Sequence, residues 1–95
     1  NAAVGHYRCG DVPLKKGDCI LIDVGCKKDN YCADMTRTFF CGEVQKEEHR
    51  RIYDLVLEAN RAAEAMIRSE VRFCDIDAAA RNVIEKAGYG NLSHF

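Results

Sequence analysis

The chain has 95 residues, with 14 Lys and Arg against 15 Asp and Glu, for a formal net charge of −1 and a pI near 6.3. No basic face for nucleic acid and no polybasic segment for a membrane dominates, so neither partner is expected. The hydrophobic share is 47% and the charged share 31%, an ordinary globular balance, in a chain near the lower size limit for one self-sufficient core.

One domain is the expectation at this length. The longest apolar run, Cys19 to Ile22, is far too short to cross a bilayer, and no basic segment followed by an apolar stretch marks a signal peptide at the N-terminus. Six cysteines, Cys9, Cys19, Cys26, Cys32, Cys41 and Cys74, include no C-x-x-C pair, so a zinc site of paired thiolates is not expected. Long aliphatic-rich helices are unlike a loop-rich disulfide scaffold. Free thiols in a reducing cytoplasm follow, most of them acting as small apolar fillers.

The first 17 residues read as irregular. Leu14 to Asp18 reads as a turn with Gly17 free to take positive φ. Cys19–Gly25 is predicted as a strand, Lys27 to Asn30 as a polar turn, and Tyr31–Cys41 as a second strand rich in β-formers, ended by Gly42. Ile52, Leu55, Val56, Ala59, Ala62, Ala63, Met66 and Ile67 follow helical spacing, with Glu47 and Glu48 in the first turn. A loop around Ser69–Phe73 precedes a second helix, with Asp75 as the expected N-cap, an apolar stripe from Ile76 to Ala87, and Gly88 just past the end. Strands followed by helices, without βαβ alternation, give an α+β fold.

The hairpin carries the chemistry. Alternation puts Cys19, Leu21 and Asp23 on one face of the first strand, and Asp34, Thr36, Thr38 and Phe40 on one face of the second. If the turn centres between Lys28 and Asp29, Lys27 pairs with Asn30 and Asp23 falls directly opposite Asp34. Like charges directly opposed on a sheet are destabilising. A shared proton, an inserted Arg or Lys, or a bound cation could offset the repulsion. Arg37 is the nearest base, but alternation puts it on the face away from Asp34. A solvated turn aspartate is the plain alternative for either carboxylate.

The segment GDCILIDVGCKKDNYCADMTRTFFCGEV closely resembles the first metal-ligand segment of the methionine aminopeptidase, prolidase and aminopeptidase P family, the pita-bread metallopeptidases. NAAVGHYR, YDLVLEANRAAEAMI, DIDAAARNVIEKAGYG and LSHF extend the resemblance over nearly the whole chain, with wording nearest to the Xaa-Pro peptidase branch. The resemblance implies that residues 1–95 form the N-terminal portion of one pita-bread catalytic domain. It implies a centre of two divalent ions, manganese, cobalt, zinc or iron, held by two Asp, one His and two Glu. Asp23 matches the Asp that binds one ion and Asp34 the Asp that bridges both. His6 matches a histidine that contacts substrate or stabilises the transition state. Thr36 matches a position that orients a ligand. By its distance from Gly88-Tyr89-Gly90, His94 matches an active-site histidine shortly before the Gly-His-Gly metal ligand; a shifted alignment would make it the ligand itself.

The implied activity is metal-dependent hydrolysis of the bond between an N-terminal residue and proline, as an aminopeptidase or dipeptidase, on a peptide with proline in second position. The chain is expected to stop before both Glu ligands, and so to be inactive alone. Where the family carries a glycine near position 70, this chain has Glu70, which points to a locally altered turn. Two other readings stand beside the enzyme: a metal-free pita-bread interaction module and a structural α+β domain. An uncovered apolar sheet face points to association, with a homodimer as one form of it.

Overall fold

A computed structural model describes residues 7–90. Its contacts fall into two units, one up to Gln45 and one from Lys46 onward.

The first unit is a β-hairpin of β1 (Cys19–Lys28) and β2 (Tyr31–Phe40), paired antiparallel. Its strands are rich in Ile, Val, Thr and Phe, residues that pack well on a pleated surface. The two connecting residues, Asp29 and Asn30, have φ of 50° and 67°. Left-handed conformation at both central positions is the primed turn whose twist matches the flanking strands, and Asp and Asn are among the few side chains that tolerate it. Lys27 and Lys28 therefore belong to β1 rather than to the turn. The open end is tied as well. Gly17, at φ 88°, donates its N–H to the Cys41 carbonyl at 2.8 Å, and the Cys41 N–H returns to the Asp18 carbonyl at 2.9 Å.

The loop position corrects the expected register. Asp23 lies opposite Thr36, and Asp34 lies opposite Gly25. Moving the turn centre by one residue moves each cross-strand partner by two. Side-chain direction has period two, so every residue keeps its face. Asp23 and Asp34 are diagonal neighbours on one face, not direct partners. Arg37 is exposed on the other face, as alternation predicts, and its guanidinium donates to the Thr36 carbonyl at 2.8 Å.

The second unit is a helix pair, α1 (Glu47–Met66) and α2 (Phe73–Lys86), packed on each other. Ala59 on α1 and Ile84 on α2 are the buried residues among those described, and both lie on the predicted stripes. Burying an isoleucine side chain contributes about 2 kcal/mol. The helix start differs from expectation. Arg72 occupies the N-cap position without a side-chain cap, and Asp75 sits inside the first turn, accepting two hydrogen bonds from the Arg72 guanidinium at 2.7 and 2.9 Å. That bonding raises the Arg72 pKa above its ordinary value. The stability that follows from a raised pKa is fully present below the unfolded value and is lost as the pH rises through the folded one, so for a guanidinium it is present across the neutral range. At the far end the Gly88 N–H bonds to the Glu85 carbonyl and the Tyr89 N–H to the Ile84 carbonyl, the paired closure of a Schellman motif, with Gly88 at φ 86°.

Between the helices, Glu70 has φ 67°. Glu70 thus adopts the left-handed conformation suited to glycine, and a glutamate carries its strain. The cysteines also differ from expectation. All six are free, but five are exposed and Cys41 is half-buried, so packing does not explain them within the described residues.

Candidate metal centre

Four positions form a cell on one face of the hairpin. Asp23 and Thr36 face each other across the strands, and so do Gly25 and Asp34. The carboxylates occupy one diagonal of this cell. Thr36 Oγ1 donates to Asp23 Oδ1 at 2.7 Å, which fixes the Asp23 rotamer and leaves Oδ2 without a hydrogen bond among the described residues. Asp34 makes no side-chain hydrogen bond or ion pair there, although it sits inside a strand, where aspartate is depleted. The diagonal offset relieves the direct opposition of charge inferred from sequence, and the Thr36 hydroxyl offsets part of what remains. No Arg or Lys is inserted between the two carboxylates among the described residues.

The donor chemistry fits a divalent cation. Carboxylate oxygens suit magnesium, manganese, iron, cobalt and zinc. Diagonal neighbours on a sheet face are about 7–8 Å apart, and with metal–oxygen bonds of about 2.1 Å both side chains can reach a common ion. The donor number is smaller than a closed site needs: among the described residues no three His, Cys, Asp or Glu side chains group to hold a metal.

Of the residues singled out from sequence, Asp23, Asp34 and Thr36 are brought together. Thr36 pairs with Asp23 across the strands rather than with Asp34, its neighbour along β2. His6 and His94 lie outside the described residues. Gly25 was missed, because its place in the cell depends on the register; the available signal was a glycine between the two aspartates with no turn around it.

The profile of metallopeptidase family M24 matches residues 1–95. The chain belongs to this family. It is similar to a Bacillus subtilis (strain 168) protein named "Putative dipeptidase YkvY", 44% identical over 86 residues, covering 90% of this chain and 23% of that protein. Among solved structures it is similar to prolidase from Pyrococcus furiosus, with a TM-score of 0.87 and 33% identity over 95% of this chain and 26% of that one. It is also similar to an X-Pro aminopeptidase from Thermotoga maritima MSB8, with a TM-score of 0.84 and 36% identity over 95% of this chain and 25% of that one.

The chain thus spans about a quarter of the length of each of these relatives. The two strands and two helices are those of the pita-bread prolidase fold, as the resemblance implied. M24 is a family of metallopeptidases, and membership of it implies divalent metal ions. No helix among the described residues is long and apolar enough to cross a membrane.

Proposed function

We propose that this chain supplies Asp23 and Asp34 as the first two carboxylate ligands of a two-metal Xaa-Pro peptidase, and that residues 1–95 are part of its single catalytic domain. The observation that carries this reading is the cell on the hairpin face. It holds two carboxylates on one diagonal, one oriented by Thr36 and the other without a protein partner. The proline preference draws support from the prolidase and X-Pro aminopeptidase likenesses. Divalent ions bound there would activate water near neutral pH and polarise the scissile carbonyl.

The chain's own contribution is positional. β1 and β2 set the carboxylates at a fixed spacing, and Thr36 holds Asp23 Oδ1 so that Oδ2 points free of the sheet's own hydrogen bonds. Asp34, opposite a residue with no side chain, is the one with room to bridge. His6 is assigned to the substrate side of the site, and His94 to the same active site. The ions are manganese, cobalt, zinc or iron, and the setting is cytoplasmic.

The test is metal analysis and a peptide panel on a full-length protein containing this chain. Asp34→Asn should lose bound metal and lower kcat/KM on Xaa-Pro peptides roughly a hundredfold or more. Unchanged metal content with full hydrolysis in that variant would sink the assignment. Metal-free protein that binds but does not cleave peptides would favour a non-catalytic interaction module instead.

A further inference from the structure

We propose that Gly25 is a positioning residue, a glycine because any side chain there would project over the sheet face into the space where a divalent ion sits between Asp23 and Asp34. This rests on the metal assignment above and names what the protein leaves out to make room. Gly25 is the direct cross-strand partner of Asp34, and it lies two residues from Asp23 on the same strand. It is the corner of the cell opposite Thr36. An ion shared across the Asp23–Asp34 diagonal therefore lies between the Thr36 hydroxyl on one side and the bare Gly25 backbone on the other.

The usual reasons for glycine do not account for it. Glycine inside a strand weakens the strand. Among the described residues the glycines with positive φ are Gly17, Gly42 and Gly88, and Gly25 is not among them. Its backbone conformation is open to any residue. A Cβ at Gly25 would meet one neighbour within 4 Å, the Ala33 carbonyl oxygen at 3.1 Å, a contact that requires this backbone carbonyl to give by a few tenths of an ångström. Directly opposed residues on a sheet face have Cβ atoms roughly 4.5–5.5 Å apart, so the added side chain would stand beside the Asp34 carboxylate. A mid-strand glycine with ordinary φ marks a place where a ligand or another backbone comes close, and the two adjacent carboxylates indicate a ligand that is a cation.

The experiment uses a full-length protein containing this chain, stripped of metal and titrated with Mn2+ by calorimetry, with the Tm of the metal-free form measured in parallel. Gly25→Ala should weaken Mn2+ binding about tenfold and Gly25→Val about a hundredfold, a loss graded by side-chain size. The contact with Ala33 is made by the Cβ that both variants share, so it gives no such grading. Both variants binding Mn2+ as tightly as the unsubstituted protein, with only the Tm lowered, would overturn the proposal and leave the Ala33 carbonyl as the reason for glycine.

Should neither variant fold, the unsubstituted protein with 15N-labelled glycine gives a second measurement. The amide signal of Gly25 should broaden at the lowest Mn2+ ratios while that of Gly17, which precedes β1, persists. Persistence of the Gly25 signal would equally overturn the proposal. Asp34→Asn serves as the separating control. If it abolishes Mn2+ binding while the Gly25 variants retain it, only the Gly25 inference fails. If it leaves binding intact, the metal assignment fails.

Discussion

Thr36 Oγ1 and Asp23 Oδ1, 2.7 Å apart, form the one side-chain hydrogen bond made by either candidate carboxylate among the described residues. Thr36→Val keeps the branching that suits a strand and removes only the donor. Metal affinity should fall about 10–100-fold, the usual effect of losing a ligand's outer hydrogen bond. Stability should change by no more than about 1 kcal/mol, because the bond is exposed and water can replace it. Thr36→Ser should restore the affinity. Mn2+ titration of the three proteins checks this, and equal affinities would remove Thr36 from the site. Glu70 gives a second residue-scale prediction. Its φ of 67° costs about 1–2 kcal/mol for an L-residue, whereas glycine pays only its extra chain entropy of about 0.5–1 kcal/mol. Glu70→Gly should therefore stabilise the helix pair by about 0.5–1 kcal/mol, read as a higher denaturant midpoint at unchanged slope.

At the scale of elements, the hairpin turn decides the register, and the register decides the cell. Asn30→Val puts a β-branched residue where φ is 67°, at an expected loss of about 1–2 kcal/mol. Asn30→Gly should be neutral or stabilising, because that turn position favours glycine. Denaturant melts of the two variants in a full-length protein check the ordering, and equal stabilities would mean the turn does not set the pairing. The same turn explains what the sequence could reveal. Both strands were legible in their β-branched and aromatic residues, but the polar run from Lys27 to Asn30 offers more than one two-residue loop. Only the left-handed tolerance of Asp29 and Asn30 favours the observed one. The face assignment survived because an error of one in the turn centre shifts partners by two. The start of α2 was missed for a different reason. Asp75 is a good cap residue by type, but bonding to the Arg72 guanidinium puts its carboxylate to a different use inside the first turn.

For the whole molecule, the site and the core lead to the same expectation about the 95-residue chain in isolation. The two carboxylates and Thr36 were legible through family resemblance, and the role inferred for Gly25 required the register. Ala59 and Ile84 are the only buried residues among those described. Leu21 on the site face and Ile22, Val24, Met35 and Phe39 on the other are each between 43% and 52% exposed, so neither face of the hairpin is dry. A lone two-stranded hairpin is marginal in water, and two buried side chains supply only a few kcal/mol against the entropy of ordering their elements. The isolated chain should melt without a sharp transition and associate as its concentration rises. It should show no Xaa-Pro hydrolysis above background with Mn2+ or Co2+ added, because two carboxylates, with no third donor grouped beside them among the described residues, hold an ion weakly and leave water activation incomplete. Size-exclusion chromatography, calorimetric melting and a proline-dipeptide assay on the purified chain test these points together. A monomer with a cooperative melt and Asp34-dependent turnover would mean that this segment is a self-sufficient catalyst, and the assignment of Asp23 and Asp34 to a larger ligand set would have to be abandoned.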